Sequence, residues 1–115
     1  MLQKLRKVIY HVNDLAKAKE WYTDLTGIQP YFDEPFYIGF DINGFELGLD
    51  PDMTNVKEGN HSTAYWAVED IQAAVGKAVG LKAKLVSPIT NVGGTIEVAI
   101  VEDPFGNSVG LITGA

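Results

Sequence analysis

Val12-Asn13-Asp14-Leu15-Ala16-Lys17-Ala18 recurs as Val68-Glu69-Asp70-Ile71-Gln72-Ala73-Ala74, an offset of 56 residues (Asp14 to Asp70) in a chain of 115. Each copy follows a short apolar strand, opens a helix and leads into β-rich sequence. The chain therefore reads as two copies of one structural unit, and such a duplication is expected to build a cavity between its halves.

Working outward from the first copy, Lys7 to Val12 is rich in β-branched and aromatic residues and predicts a strand. Asn13 or Asp14 caps a helix to about Thr26, with Leu15, Ala18, Trp21, Tyr22 and Leu25 on one apolar face. Gly27 stands where a left-handed helix terminator belongs, and Pro30 prevents resumption. Gln29 to Phe32 predicts a short strand. Phe36–Ile42 and Phe45–Leu49 predict a hairpin about Asn43-Gly44, a dipeptide that tolerates positive φ.

In the second copy, Thr63 to Val68 predicts a strand, and Asp70 caps a helix that Gly80 ends. Lys82 to Val86 is read as a strand, Pro88 to Gly94 as a loop and Thr95 to Val101 as a strand. Asp103 to Asn107 is a turn, and Ser108 to Ile112 the last strand. The result is a single domain of two modules, about 4–50 and 62–113, joined by a polar linker over 51–61.

Composition excludes several classes of function. With no cysteine there are no disulfides, thiolate metal sites or cysteine nucleophiles. A net charge of −6 disfavours nucleic acid. No apolar run reaches the ~18–20 residues that cross a bilayer. Met1 to Lys7 is not followed by the apolar stretch of a secretory signal, so a cytoplasmic location is expected.

Val12-Asn13-Asp14, then Trp21-Tyr22, then Leu25-Thr26-Gly27 resembles the V-x-D, F-Y and L-G pattern of the vicinal oxygen chelate superfamily, which includes glyoxalase I, bleomycin-resistance proteins and extradiol dioxygenases. Val101-Glu102-Asp103-Pro104-Phe105-Gly106-Asn107 resembles its V-x-D-P-[DF]-G-N ending. The resemblance spans essentially the whole chain. It implies an α+β fold of two tandem βαβββ modules, with a curved mixed sheet around a cavity. These motifs are structural: Trp21 and Tyr22 are expected in the core, and Asp103 to Gly106 in a turn.

Enzymes of that superfamily hold a divalent metal on His, Gln or Glu side chains from the first and last strands of the two copies. The resemblance carries those positions onto Lys7, Glu46, Thr63 and Gly110. A lysine ammonium has no lone pair, a threonine hydroxyl is a poor ligand and glycine has no side chain. Glu46 alone survives, so no cofactor is expected, and a Lys7–Glu46 ion pair is expected where the metal would sit. A shifted divalent site of His11, Glu46 and His61 is the alternative.

Strand alternation places Lys7, Ile9, His11, Glu46, Gly48, Thr63, Tyr65, Ala67, Ser108 and Gly110 on the open face. Val8, Tyr10, Val12, Ala64, Trp66 and Val68 then face the helices. Lys7, His11, Glu46, Thr63, Tyr65 and Ser108 are the candidate ligand-binding residues. Tyr31, Phe32, Phe36 and Tyr37 flank the mouth, to stack on a planar ligand or to pack against the partner half.

The expected function is metal-independent binding of a small planar or cationic molecule, in the manner of bleomycin-resistance proteins. The alternative is a glyoxalase-like lyase or a dioxygenase-type enzyme with a rearranged metal site, in which Glu46 and His11 are the candidate catalytic residues. An accessory module without turnover stays open. A homodimer is expected, because open sheet edges must be covered. No nucleic-acid or membrane partner is expected.

Overall fold

The computed structural model describes residues 1, 3–54, 56 and 62–115. The chain divides into two compact units, residues 1–57 and 58–115. Unit one contains β1 (Lys7–His11), α1 (Leu15–Thr26), β2 (Phe32–Glu34), β3 (Tyr37–Ile42) and β4 (Phe45–Asp50). Unit two contains β5 (Ala64–Ala67), α2 (Ile71–Gly80), β6 (Lys84–Gly93), β7 (Ile96–Glu102) and β8 (Ser108–Thr113). Each is a βαβββ unit with a four-stranded mixed sheet, ordered β1-β4-β3-β2 and β5-β8-β7-β6. The expected α+β architecture is therefore present.

In each sheet the first strand runs parallel to the last, and the remaining pairs are antiparallel. The same backbone link closes both units. Val12 N–H donates to Asp50 O at 3.0 Å, and Val68 N–H donates to Ile112 O at 2.9 Å. That equivalence corrects one assignment made from sequence. The counterpart of Glu46 in unit two is Ser108, and Gly110 is the counterpart of Gly48. The second and third strands of unit two, β6 and β7, are longer than β2 and β3 of unit one, so the helix offset does not carry to the last strand.

Helix α1 starts where its cap dictates, with Asp14 Oδ1 accepting from Lys17 N–H at 3.1 Å. It stops at Gly27, whose φ of 72° is the left-handed conformation a glycine adopts without strain. Its inner face packs on β1 through aromatic rings. Tyr10 and Tyr22 stack with centroids 5.8 Å apart, and Trp21 meets Tyr22 edge-on at 4.7 Å. Ile38, Phe40, Leu47 and Leu49 are buried with them. In unit two, Ile71, Val75, Ala99 and Leu111 form the core cluster, with Val68, Ala74 and Ile89 against it.

Helix α2 ends differently from expectation. Asp70 caps its start, accepting from Ala73 N–H at 3.0 Å, but Gly80 is still helical and the reversal falls on Lys82, at φ 74°. Lys82 N–H donates to Val79 O, and Ala83 N–H to Ala78 O, both at 2.9 Å. This is a Schellman end with buried Ala83 as its apolar anchor. A side chain in that conformation costs about 1 kcal/mol. Lys82→Gly is therefore expected to raise unfolding stability by about 0.5–1 kcal/mol, read as a higher urea midpoint.

Two strand assignments are also corrected. The Gln29–Phe32 strand shifts to Phe32–Glu34, because Pro30 has no N–H to give a ladder. Pro88 to Gly94 is largely strand, since β6 runs unbroken from Lys84 to Gly93. Pro88 is accommodated because β6 is an edge strand and its register slips between Ser87 and Thr90. Among the described residues, no helix is long and apolar enough to cross a membrane.

Candidate functional site

The site is built on the open face of the first sheet. Register places Lys7 beside Glu46, and Asp41 beside Glu46 on its other side. Along the same face, Gly39 pairs with Gly48. These two glycines leave a bare strip across β3 and β4, and two tyrosine rings lie in it. A Cβ on Gly48 would stand 2.0 Å from Tyr37 Oη, and a Cβ on Gly39 would stand 3.1 Å from Tyr31 Cε1. Any other residue at position 48 would collide with Tyr37.

The two rings carry their hydroxyls to one carboxylate. Tyr31 Oη donates to Glu46 Oε1, and Tyr37 Oη donates to Glu46 Oε2. Lys7 Nζ lies 3.1 Å from Glu46 Oε2, which is the ion pair expected from the sequence. The same ammonium stands 5.7 Å from the centroid of the Tyr37 ring, within reach of its π face. Glu46 is therefore clasped by three donors from three segments of chain.

The electrostatics follow from this clasp. Burial works against the charged carboxylate, but the hydrogen bonds from Tyr31, Tyr37 and Lys7, with the Lys7 charge, outweigh it. Glu46 is held below its ordinary value of 4.5. The hydroxyl of Tyr37 moves the other way, pushed well above 10.0 first by burial and then by its bond to Glu46. Tyr31 is also raised, mainly by its bond to Glu46.

Beside the clasp opens a pocket of about 550 Å³, lined by Arg6, Lys7, Tyr31, Asp41, Gly44, Phe45 and Glu46. That size lies within the range of small-molecule sites, roughly 300–1,000 Å³. Phe45 and Tyr31 present exposed aromatic surface to it. Asp41 is oriented by the hairpin turn, its Oδ1 accepting from Gly44 N–H at 2.8 Å.

Of the residues singled out from sequence, Lys7 and Glu46 meet here. His11 does not join them. It pairs with Asp50 at the far end of β1, about 13 Å along the strand at ~3.3 Å per residue. Its Nδ1 is 2.7 Å from Asp52 O. Asp52 is itself held below its ordinary value, chiefly by the Thr54 hydroxyl and backbone N–H. His61 lies outside the described residues. Thr63, Tyr65 and Ser108 belong to unit two, where Thr63 precedes β5 and Tyr65 pairs with Gly110. The Tyr65 ring crosses that glycine, with Cδ1 2.6 Å from where a Cβ would stand.

Sequence reasoning missed Arg6, Asp41 and Phe45 as pocket residues, and placed Tyr31 and Tyr37 at the mouth, to stack on a ligand or pack against the partner half, without their bonds to Glu46. The signal, Gly39 and Gly48 near two tyrosines, becomes readable only once the β3–β4 register pairs the two glycines.

The residues at the superfamily's metal positions do not suit a divalent ion. Lys7 is a cation without a lone pair, and the Tyr31 and Tyr37 hydroxyls spend their protons on Glu46, so both Glu46 oxygens are already engaged by donors rather than open to a metal. Among the described residues, no group of three or more His, Asp or Glu side chains is arranged to hold a metal.

The chain belongs to the Glyoxalase/Bleomycin resistance protein/Dioxygenase superfamily, whose sequence model matches residues 4–111. Its fold is shared with solved structures of low identity. A glyoxalase/bleomycin resistance protein/dioxygenase family enzyme from Burkholderia phytofirmans PsJN is 16% identical, with 98% of this chain and 100% of that one covered at a TM-score of 0.83. Lactoylglutathione lyase from Agrobacterium tumefaciens is 17% identical over 98% and 95% of the two chains, with a TM-score of 0.77. A glyoxalase/bleomycin resistance protein from Albidiferax ferrireducens T118 is 19% identical over 95% and 97%, with a TM-score of 0.75. A comparison with curated proteins finds none that matches.

Proposed function

We propose that this chain is a metal-independent small-molecule-binding protein that seats a planar ligand in the pocket beside Glu46. The observation that carries the reading is the clasp itself. A carboxylate at a metal-ligand position of the superfamily is instead neutralised by Lys7 and fixed by Tyr31 and Tyr37, next to an aromatic-walled pocket. The Lys7 ammonium supplies the positive charge that a metal supplies elsewhere in the superfamily.

The enzyme reading is weaker on the same geometry. A general base works best with a pKa near the working pH. Glu46 is held below its ordinary value, with both oxygens already accepting, so it is a poor proton acceptor. His11, the partner suggested for it, is engaged at the other end of β1.

A homodimer remains part of the proposal. The edge strand β6 carries exposed Leu85, Val86 and Val92, apolar surface that a second chain would cover.

Glu46→Gln tests the binding reading. It removes the charge that pairs with Lys7 and puts an amide N–H₂ among donors. An aromatic ligand that stabilises the wild type in a thermal-shift assay is expected to lose at least ~10-fold in affinity to the variant. Undiminished binding would count against the site. The same variant has a pH signature. The folded carboxyl takes up its proton less readily than the unfolded one, so its stabilisation is present above about 4.5 and is lost as pH falls through the lower folded value. The stability gap between wild type and Glu46→Gln is therefore expected to narrow below that pH.

A further inference from the structure

The charges around the pocket divide into two kinds. Lys7 and Glu46 compensate each other within the clasp. Arg6 and Asp41 line the same pocket and have no ion-pair partner within 4 Å among the described residues, each other included. The pocket thus offers one uncommitted cation and one uncommitted anion, held apart, with the exposed faces of Tyr31 and Phe45 beside them.

From this we infer that the ligand is a small aromatic zwitterion of the amino-acid type, an inference that rests on the binding reading above. Its carboxylate would be held by the guanidinium of Arg6, whose planar fork suits a carboxylate, assisted by the spare N–H donors of Lys7. Its ammonium would be held by Asp41. One oxygen of Asp41 is fixed on the Gly44 N–H at 2.8 Å, which leaves the other to accept. Its ring would lie against Phe45 and Tyr31.

The charge count separates this from the other ligand classes. A purely cationic ligand would meet Asp41 but leave Arg6 and Lys7 facing it. A purely anionic one would meet Arg6 but face Asp41 and Glu46. Like charges brought together in a partly desolvated pocket are unfavourable. A zwitterion leaves neither Arg6 nor Asp41 uncompensated, and it agrees with a lining that carries two cations and two anions.

The test uses three probes that share a ring and differ in charge: L-phenylalanine, phenethylamine and 3-phenylpropionate. Each is titrated into the isotope-labelled full chain and followed by protein NMR. L-phenylalanine is expected to bind at least ~10-fold more tightly than either singly charged probe. Arg6→Gln is expected to bring it down to the level of phenethylamine, and Asp41→Asn to the level of 3-phenylpropionate. Both variants should fold. Arg6 is exposed, and asparagine keeps the acceptor for Gly44.

Equal binding of the three probes, or tighter binding of a singly charged one, overturns the inference and leaves the pocket as an aromatic-binding site. If none of the three binds while an uncharged aromatic fragment still shifts the Tyr31 and Phe45 resonances, the inference falls and the binding reading stands. If neither the probes nor the fragment has any effect, both fall.

Discussion

Gly48→Ala is expected to destabilise the chain by about 1–3 kcal/mol and to unfasten the clasp in the same step. The new methyl would stand 2.0 Å from Tyr37 Oη and 2.6 Å from Cζ, far inside contact distance. Tyr37 cannot yield at low cost, because its hydroxyl is bonded to Glu46 and its ring lies under Lys7. Two effects should therefore appear together. The melting temperature should fall by roughly 4–12 °C. The Tyr37 hydroxyl, pushed above 10.0 by burial and by Glu46, should titrate closer to that ordinary value in an ultraviolet pH titration. Its raised value means that the folded state keeps the proton longer than the unfolded one. The stabilisation is complete below 10.0 and is lost as pH climbs above it. Gly48→Ala should lose less stability than the wild type over that alkaline range. A variant with unchanged stability and an unchanged titration would mean that Tyr37 does not lie across the strip.

Asp103→Ala is expected to cost about 2–4 kcal/mol. Asp103 is 3% exposed, and its carboxylate organises the last turn. Oδ1 accepts from Phe105 N–H at 2.9 Å and Asn107 N–H at 2.7 Å, while Oδ2 accepts from Asn107 Nδ2 at 3.2 Å. Alanine leaves these donors without their acceptor and leaves a void behind. The turn sets the β7–β8 register, so the loss should reach the core strands Val101 and Val109 that flank it. Asp103→Asn, which keeps one oxygen, should fall between wild type and alanine in denaturant unfolding. Equal midpoints for all three would show that the turn forms without the side chain.

The contrast between these positions explains what the sequence made legible. The turn motif at Asp103 to Asn107 and the caps at Asp14 and Asp70 act through bonds to near neighbours, so local spacing is enough to read them. The alternation in β1 and β4 likewise put Lys7 and Glu46 on one face. The clasp is a different kind of object. Tyr31 reaches Glu46 across 15 positions and Tyr37 across nine, and both depend on the Gly39–Gly48 register. A glycine in a strand reads only as a weak position until its cross-strand neighbour is known. The same limit produced the mismatch of Glu46 with Gly110. The helices keep a fixed offset between copies, but longer strands in unit two shift the last strand, and only the β5–β8 register shows Ser108 to be the counterpart. Lys82 in place of glycine at the end of α2 escaped notice because lysine carries no sign of the conformation it is forced to adopt.

A ligand site beside Glu46 is expected to work without a metal. The most direct measurement is an NMR titration of the labelled, tag-free chain with aromatic fragments, run with EDTA and again with one equivalent of a divalent ion. Shifts at Arg6, Lys7, Tyr31, Phe45 and Glu46 are expected to be the same in both conditions. Binding that disappears in EDTA and returns with the ion would contradict this expectation.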